Sequence, residues 1–167
     1  MISNDLDGSI HEINISDLSW RPSAYGICLR DNKVLLLHQS GKYHLPGGGI
    51  ELDEHPEDAV TREIIEETGI PTFTQTLIDI RSTFFSWKSE GKDENLRHVH
   101  ALLFYYLCSV KDEDNGRPAL TANEKYMGLH PEWIETDELD NITVGTTVDW
   151  RPVVKEAVLI KNSKYID

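Results

Sequence analysis

Cysteine is scarce in this chain: 167 residues contain two, Cys28 and Cys108. Two cysteines cannot build a disulfide framework. Both lie in apolar runs, so a pair of buried, reduced thiols is expected. Long hydrophobic runs are also missing. The longest, residues 101–108, is strand-sized, far short of the ~18 residues that cross a membrane. Basic residues are few: 16 Lys and Arg stand against 29 Asp and Glu, for a formal net charge of −13. Such a chain has no basic face with which to displace counterions, which argues against a nucleic-acid binder. It argues equally against docking on an anionic membrane surface. A polyphosphate substrate is not excluded, provided bound cations supply the missing positive charge. The N-terminus is polar and acidic and has neither the basic start nor the apolar stretch of a signal peptide. A cytoplasmic location is therefore expected.

What is present is the composition of a globular protein, 39% hydrophobic and 27% charged, unlike a disordered chain. The length suits a single domain over residues 1–167. There is no internal repeat and no low-complexity linker. Residues 1–19 read as a loose arm or an edge strand. Residues 23–30 and 33–38 read as a hairpin about Asp31-Asn32. A turn at residues 39–42 leads to a short strand at 43–45, then to Pro46-Gly47-Gly48-Gly49.

A helix is expected from Pro56, which suits a first helical position because its missing N–H would have had no partner. Glu57 and Asp58 follow in the first turn, where the helix dipole favours acids. Gly69 suits a left-handed C-cap, and Pro71 prevents resumption. Strand patterns occupy residues 72–87 and 97–110. A loop of about 20 residues runs over 111–131, Trp133-Ile134 form a short strand or turn entry, and residues 150–163 form a last helix. Strands before and after one central helix predict an α+β or mixed α/β class.

The chemistry is concentrated in residues 48–70. On a helix, Glu63, Glu66 and Glu67 fall within an arc of about 100°. Like charges so placed cost the helix roughly 0.2–0.5 kcal/mol per pair. A sequence that gathers three carboxylates in this way usually has a cation for them, and carboxylate oxygens are ligands of Mg²⁺. A solvated acidic helix face, with Arg62 as a helpful ion pair, is the plain alternative for the six residues 62–67 taken alone.

The longer stretch resembles the Nudix hydrolase family, whose signature is G-x5-E-x7-R-E-U-x-E-E-x-G-U with U a bulky aliphatic residue. Gly48, Glu54, Arg62, Glu63, Ile64, Glu66, Glu67, Gly69 and Ile70 fill the fixed slots at the right spacing. By average usage a chance match is on the order of 10⁻⁸ to 10⁻⁹ per starting position. The resemblance implies the Nudix fold, an α/β/α sandwich with a mixed β-sheet and a catalytic helix after the box loop. It implies hydrolysis of a nucleoside diphosphate linked to another group X, with Mg²⁺ or Mn²⁺. The Gly47 carbonyl and the carboxylates of Glu66 and Glu67 then look like metal ligands. Glu63 looks like a ligand of a second metal or the base for the attacking water. Arg62 and Glu54 look like an ion pair fixing the helix against the loop, and Gly48 like the point of close backbone approach.

A further acid from a late loop is common in the family. Glu124, nine residues before Trp133, is the candidate here. Where many relatives carry a phosphate-contacting arginine, this chain has His38, and Lys42, Arg21 or Arg81 are the substitutes. Among Trp20, Tyr25, Phe84, Phe85 and Trp87, core packing competes with stacking on a base. His98 and His100 alternate beside Arg97 but lack a third ligand for a metal.

The expected substrate is a (deoxy)nucleoside triphosphate, with a nucleotide sugar such as ADP-ribose as the rival. A Nudix domain that senses a ligand without turnover is the non-enzymatic alternative, disfavoured because no box glutamate is lost. The oligomeric state stays open, a homodimer included.

Overall fold

The computed structural model describes residues 2–5, 10–88, 96–111, 117–122, 125 and 128–163. Its strands are β1 (Ile2–Asp5), β2 (Ile10–Glu12), β3 (Leu18–Arg30), β4 (Lys33–Gln39), β5 (Lys42–His44), β6 (Gly47–Gly49), β7 (Thr72–Lys88), β8 (Leu96–Val110) and β9 (His130–Glu135). Helix α1 spans Pro56–Thr68 and α2 spans Arg151–Ser163. The strands run in the order β2-β1-β7-β8-β3-β4-β5, with β6 paired to β3 and β9 to β4. The sheet is mixed: β3 lies parallel to β8, while β7 and β8 are antiparallel.

Local chemistry explains several of these boundaries. Asp31 and Asn32 have φ of 46° and 62°, the two positive values that a tight primed hairpin turn demands. α1 begins at Pro56 and ends at Gly69, whose φ is 73° and whose N–H donates to the Ile65 carbonyl at 2.8 Å. This is a left-handed cap that glycine adopts without a Cβ penalty.

Alternation along the strands sorts the core into two layers. Ala24, Cys28, Leu35, Tyr106 and Cys108 pack with Ala59, Val60 and Ile64 of α1. Their neighbours Ile27, Val34, Leu36, Tyr105 and Leu107 pack with Val153, Val154 and Ala157 of α2. A helix therefore covers each face of the sheet, giving the sandwich that the box resemblance implied. Burying Val60 and Ile64 contributes about 1.5–3 kcal/mol each. α1 comes so close to the sheet that a Cβ on Gly26 would strike the Ile64 side chain and lie 3.2 Å from Val60 Cγ2. Cys28 and Cys108 are free and buried, directly opposite each other in register.

Four sequence expectations change. Residues 18–20 belong to β3, because Leu18, Ser19 and Trp20 pair with His98, Val99 and His100 of β8. Residues 2–5, read as a loose arm or an edge strand, form a strand parallel to β7, with β2 rather than β1 at the edge. The glycines after Pro46, which the sequence left without an element, form β6, with Gly47, Gly48 and Gly49 opposite Tyr25, Ala24 and Ser23. The long connection ends earlier than expected, since β9 begins at His130 and accommodates Pro131. Proline is tolerated there because, among the described residues, β9 pairs with β4 alone, leaving one side without ladder bonds. Among the described residues no helix is long and apolar enough to cross a membrane.

Candidate functional site

The site begins where β6 meets α1. Gly47 has φ +140°, and a Cβ there would sit 2.7 Å from Tyr25 Cα and strike the Ala24 carbonyl. Only glycine fits that backbone. Its N–H donates to Glu67 Oε2 at 2.8 Å, which ties the end of α1 to the loop. At Gly48 a Cβ would lie 2.7 Å from Oε1 and from the carboxyl carbon of Glu63. The missing side chain is thus the space that the Glu63 carboxylate occupies.

Arg62 organises the acids. Its Nε and Nη2 donate to Glu54 Oε2 and Oε1 at 3.0 and 2.6 Å, a two-pronged pair. Nη1 donates to Glu63 Oε1 at 3.0 Å and Glu66 Oε2 at 3.3 Å, and Nη2 reaches the Gly49 carbonyl at 3.2 Å. Glu54 also accepts the Glu51 N–H at 2.8 Å. The Arg62 guanidinium, helped by that amide, holds the Glu54 carboxyl below its ordinary pKa. The Glu54 bonds in turn raise the guanidinium pKa further, with Glu63 adding to the effect. One cation therefore fixes three carboxylates and the loop carbonyl in a single arrangement.

That donor set fits a hard divalent cation. Glu63, Glu66, Glu67 and the Gly47 carbonyl all offer oxygen, and the contacts at Gly47 and Gly48 hold the loop backbone and the carboxylates together. Glu66 has a further tie: its backbone carbonyl accepts the Ala119 N–H at 2.6 Å. The segment before Glu124 is therefore seated on the end of α1. Glu124 itself lies outside the described residues.

Beside these acids is a cavity of about 190 Å³. Tyr25 joins the two. It lines the cavity, and burial raises its phenol pKa, opposed by Arg21 and reinforced by Glu67 and Glu63. Its ring stacks on Tyr105, with centroids 5.8 Å apart. Phe85, Leu103 and Trp150 supply further apolar wall, while His44 and Thr146 bring polar groups. The Trp150 indole N–H is buried with no acceptor among the described residues. Burial lowers the His44 pKa, with Lys42 adding to the shift.

The sequence candidates divide. Arg21 lines the cavity and lies beside the box loop, its Nη2 being 3.5 Å from where a Gly49 Cβ would stand. Lys42 is exposed on β5 and does not line the cavity. Arg81 is held by the Asp79 carboxylate at 2.7 Å and the Asp149 carbonyl at 3.1 Å. Of the aromatic candidates, Tyr25 and Phe85 face the cavity. Trp20 and Phe84 instead flank His100, with centroids 4.8 and 4.2 Å away. His98 is engaged by Ser86 at 2.7 Å. Tyr105, Trp150 and residues 145–148 also wall the cavity and were not among the sequence candidates. Their neighbours along the chain carry no motif, and only the β3–β8 pairing and the placement of α2 bring them together.

A family model described as "NUDIX domain" matches residues 20–153. An ADP-ribose pyrophosphatase of Methanocaldococcus jannaschii is 41% identical over 63 residues, 35% of this chain and 37% of the relative. The alignment thus spans little more than a third of that relative. An 8-oxo-dGTP diphosphatase of Proteus vulgaris is 35% identical over 93 residues, 52% of this chain and 74% of the relative. A solved NUDIX hydrolase structure from Nitrosomonas europaea superposes with a TM-score of 0.58 at 20% identity, covering 87% of this chain and 90% of that one. At that identity the likeness concerns the fold alone. The match over residues 20–153, together with the box geometry, places the chain in the NUDIX domain family.

Proposed function

We propose that this protein is a divalent-metal-dependent pyrophosphohydrolase that cleaves a nucleoside diphosphate linked to a group X. The favoured substrate is a (deoxy)nucleoside triphosphate. One observation carries the reading: Arg62 gathers Glu54, Glu63 and Glu66 at the glycine loop that binds Glu67. Glu63, Glu66, Glu67 and the Gly47 carbonyl would hold Mg²⁺ or Mn²⁺. When bound, the cation offsets phosphate charge and makes water easier to deprotonate.

The chain's own groups do the remainder. Glu63 accepts the proton of the attacking water or helps to hold the cation, its carboxylate kept in place by Arg62. Glu54 keeps Arg62 in position. Arg21, between the box loop and the cavity, contacts phosphate, with Lys42 available from β5. The base or sugar enters the cavity against Tyr25 and Phe85, where Trp150 has an N–H to donate and His44, neutral above its lowered pKa, can donate or accept. Catalysis is then positioning and electrostatics, with no covalent nucleophile.

The ADP-ribose reading is kept because the 41%-identical stretch belongs to an ADP-ribose pyrophosphatase. A screen that follows nucleoside monophosphate formation from nucleoside triphosphates, nucleotide sugars and dinucleotides with Mg²⁺ and Mn²⁺ separates the two. Turnover of triphosphates supports the favoured reading, turnover of ADP-ribose alone selects the other, and turnover of neither removes both.

A further inference from the structure

Three donors converge on residues outside the box. His38 on β4 is directly opposite His130 on β9, and Glu132 follows two residues later on the same face. His38 Nδ1 is 3.4 Å from Glu132 Oε1, and His130 Nε2 is 2.7 Å from the same oxygen. The donor atoms of all three residues lie within 4.8 Å of one another. Two tetrahedral zinc ligands at roughly 2.0–2.1 Å from the metal stand about 3.3 Å apart. The His38–Glu132 separation already matches, the His130–Glu132 contact needs to open by about half an ångström, and the two imidazole donors, within 4.8 Å of each other, need to close by up to about 1.5 Å.

The surroundings orient each donor. His130 Nδ1 is 2.8 Å from the Gly128 carbonyl, which can only accept, so Nδ1 carries the proton. In the neutral ring the Nε2 lone pair then faces a carboxylate oxygen, which also only accepts. A 2.7 Å contact between two acceptors requires a proton or a cation between them. Tyr43 donates its hydroxyl to Glu132 Oε2 at 3.2 Å and fixes the carboxylate. His38 Nδ1 is buried and makes no hydrogen bond, although Glu132 Oε1 stands 3.4 Å away. Its ring is held between Tyr43 and His130, with centroids 4.8 and 5.0 Å away. Partners behind the ligands, a carbonyl on one imidazole and a hydroxyl on the carboxylate, are what orients the donors of a metal site.

We propose that His38, His130 and Glu132 form a second metal site, for a zinc-type transition ion, separate from the oxygen-rich box. Two imidazoles and one carboxylate leave a fourth position for water. The ion would clamp β9 onto β4.

Cobalt and zinc titrations of the metal-stripped full-length chain test this. The protein carries Glu66→Gln and Glu67→Gln to weaken the box. The expected result is one tightly bound equivalent, with the visible band of four-coordinate cobalt, displaced by zinc and indifferent to excess Mg²⁺. His130→Ala, at a half-exposed position, and Glu132→Gln should each weaken binding at least 100-fold. Tyr43→Phe should weaken it 10–100-fold, as removal of a partner behind a ligand does. Zinc should raise the melting temperature of the Glu66→Gln/Glu67→Gln protein and not that of the same protein with His130→Ala. No cobalt band, or affinity unchanged by His130→Ala, overturns the proposal. It would then leave His130 as a protonated partner of Glu132 and Gly128. Neither outcome depends on hydrolysis, so failure of the pyrophosphohydrolase reading is read separately.

Discussion

The carboxylate of Glu63 occupies the place where residue 48 would otherwise have a side chain, 2.7 Å from the position of a Cβ on Gly48. The atoms in the way belong to the end of a flexible chain, so Gly48→Ala can be accommodated by moving the carboxylate. The expected result is an unfolding free energy within about 1 kcal/mol of wild type and a turnover at least 10-fold lower. Gly47→Ala should behave in the opposite way. There the obstruction is backbone, at 2.7 Å from Tyr25 Cα, with φ +140°. That variant should lose several kcal/mol of stability. Thermal unfolding measured beside kcat distinguishes the two.

Glu66→Gln and Glu67→Gln keep shape and remove charge. Each should lower turnover at least 10²-fold, about 2.7 kcal/mol of barrier. Glu57→Gln is the control on the same helix. Glu57 accepts the Tyr106 hydroxyl at 3.2 Å, and a glutamine oxygen still accepts it. Its cost should be a few tenths of a kcal/mol of stability, from the lost charge in the first turn, with kcat unchanged. A Glu57 effect as large as that of Glu67 would contradict the assignment.

Much of this was legible in the sequence because its causes are local. Pro56, Gly69 and the spacing of Glu63, Glu66 and Glu67 act within one helix, and each set a boundary or a face. What was not legible depends on distant pairing. Leu18 to Trp20 have no clear strand alternation and are ordered by β8, about eighty residues further on. The cavity wall needs Tyr25, Tyr105 and Trp150 from three separate elements. His130-Pro131 reads as the end of a loop until β4 pairs with it. The one signal was the period-two placement of His130 and Glu132, hidden by the proline between them.

The Arg62–Glu54 pair carries a pH signature. Glu54 has a lowered pKa in the folded protein. Its contribution to stability is present above the unfolded value of about 4.3 and is lost as pH falls through the folded value. Glu54→Gln should therefore flatten the stability curve below about pH 4.3 and leave its shape near neutrality unaltered. Arg62→Lys, which loses the two-pronged geometry, should lower kcat at least 10-fold with KM little changed. Urea titrations from pH 3 to 7 and steady-state kinetics check both.

Glu124 is proposed as the late-loop acid. The Ala119 N–H on the Glu66 carbonyl brings the preceding segment to the end of α1. Loops that close over bound substrate commonly complete catalytic sites. Glu124→Gln should reduce kcat more than it weakens nucleotide binding, with stability within ~0.5 kcal/mol of wild type. Equal kcat in the two proteins would move the base assignment to Glu63 alone.

The decisive measurement is the metal dependence of nucleoside monophosphate formation. The metal-stripped full-length protein is assayed on nucleoside triphosphates and on ADP-ribose, with and without Mg²⁺ or Mn²⁺, beside Glu67→Gln. The expected result is no turnover without cation, restoration by Mg²⁺ or Mn²⁺, abolition by EDTA, and a loss of at least 10²-fold in Glu67→Gln at saturating metal. Full hydrolysis by the stripped protein, or undiminished hydrolysis by Glu67→Gln, would contradict it.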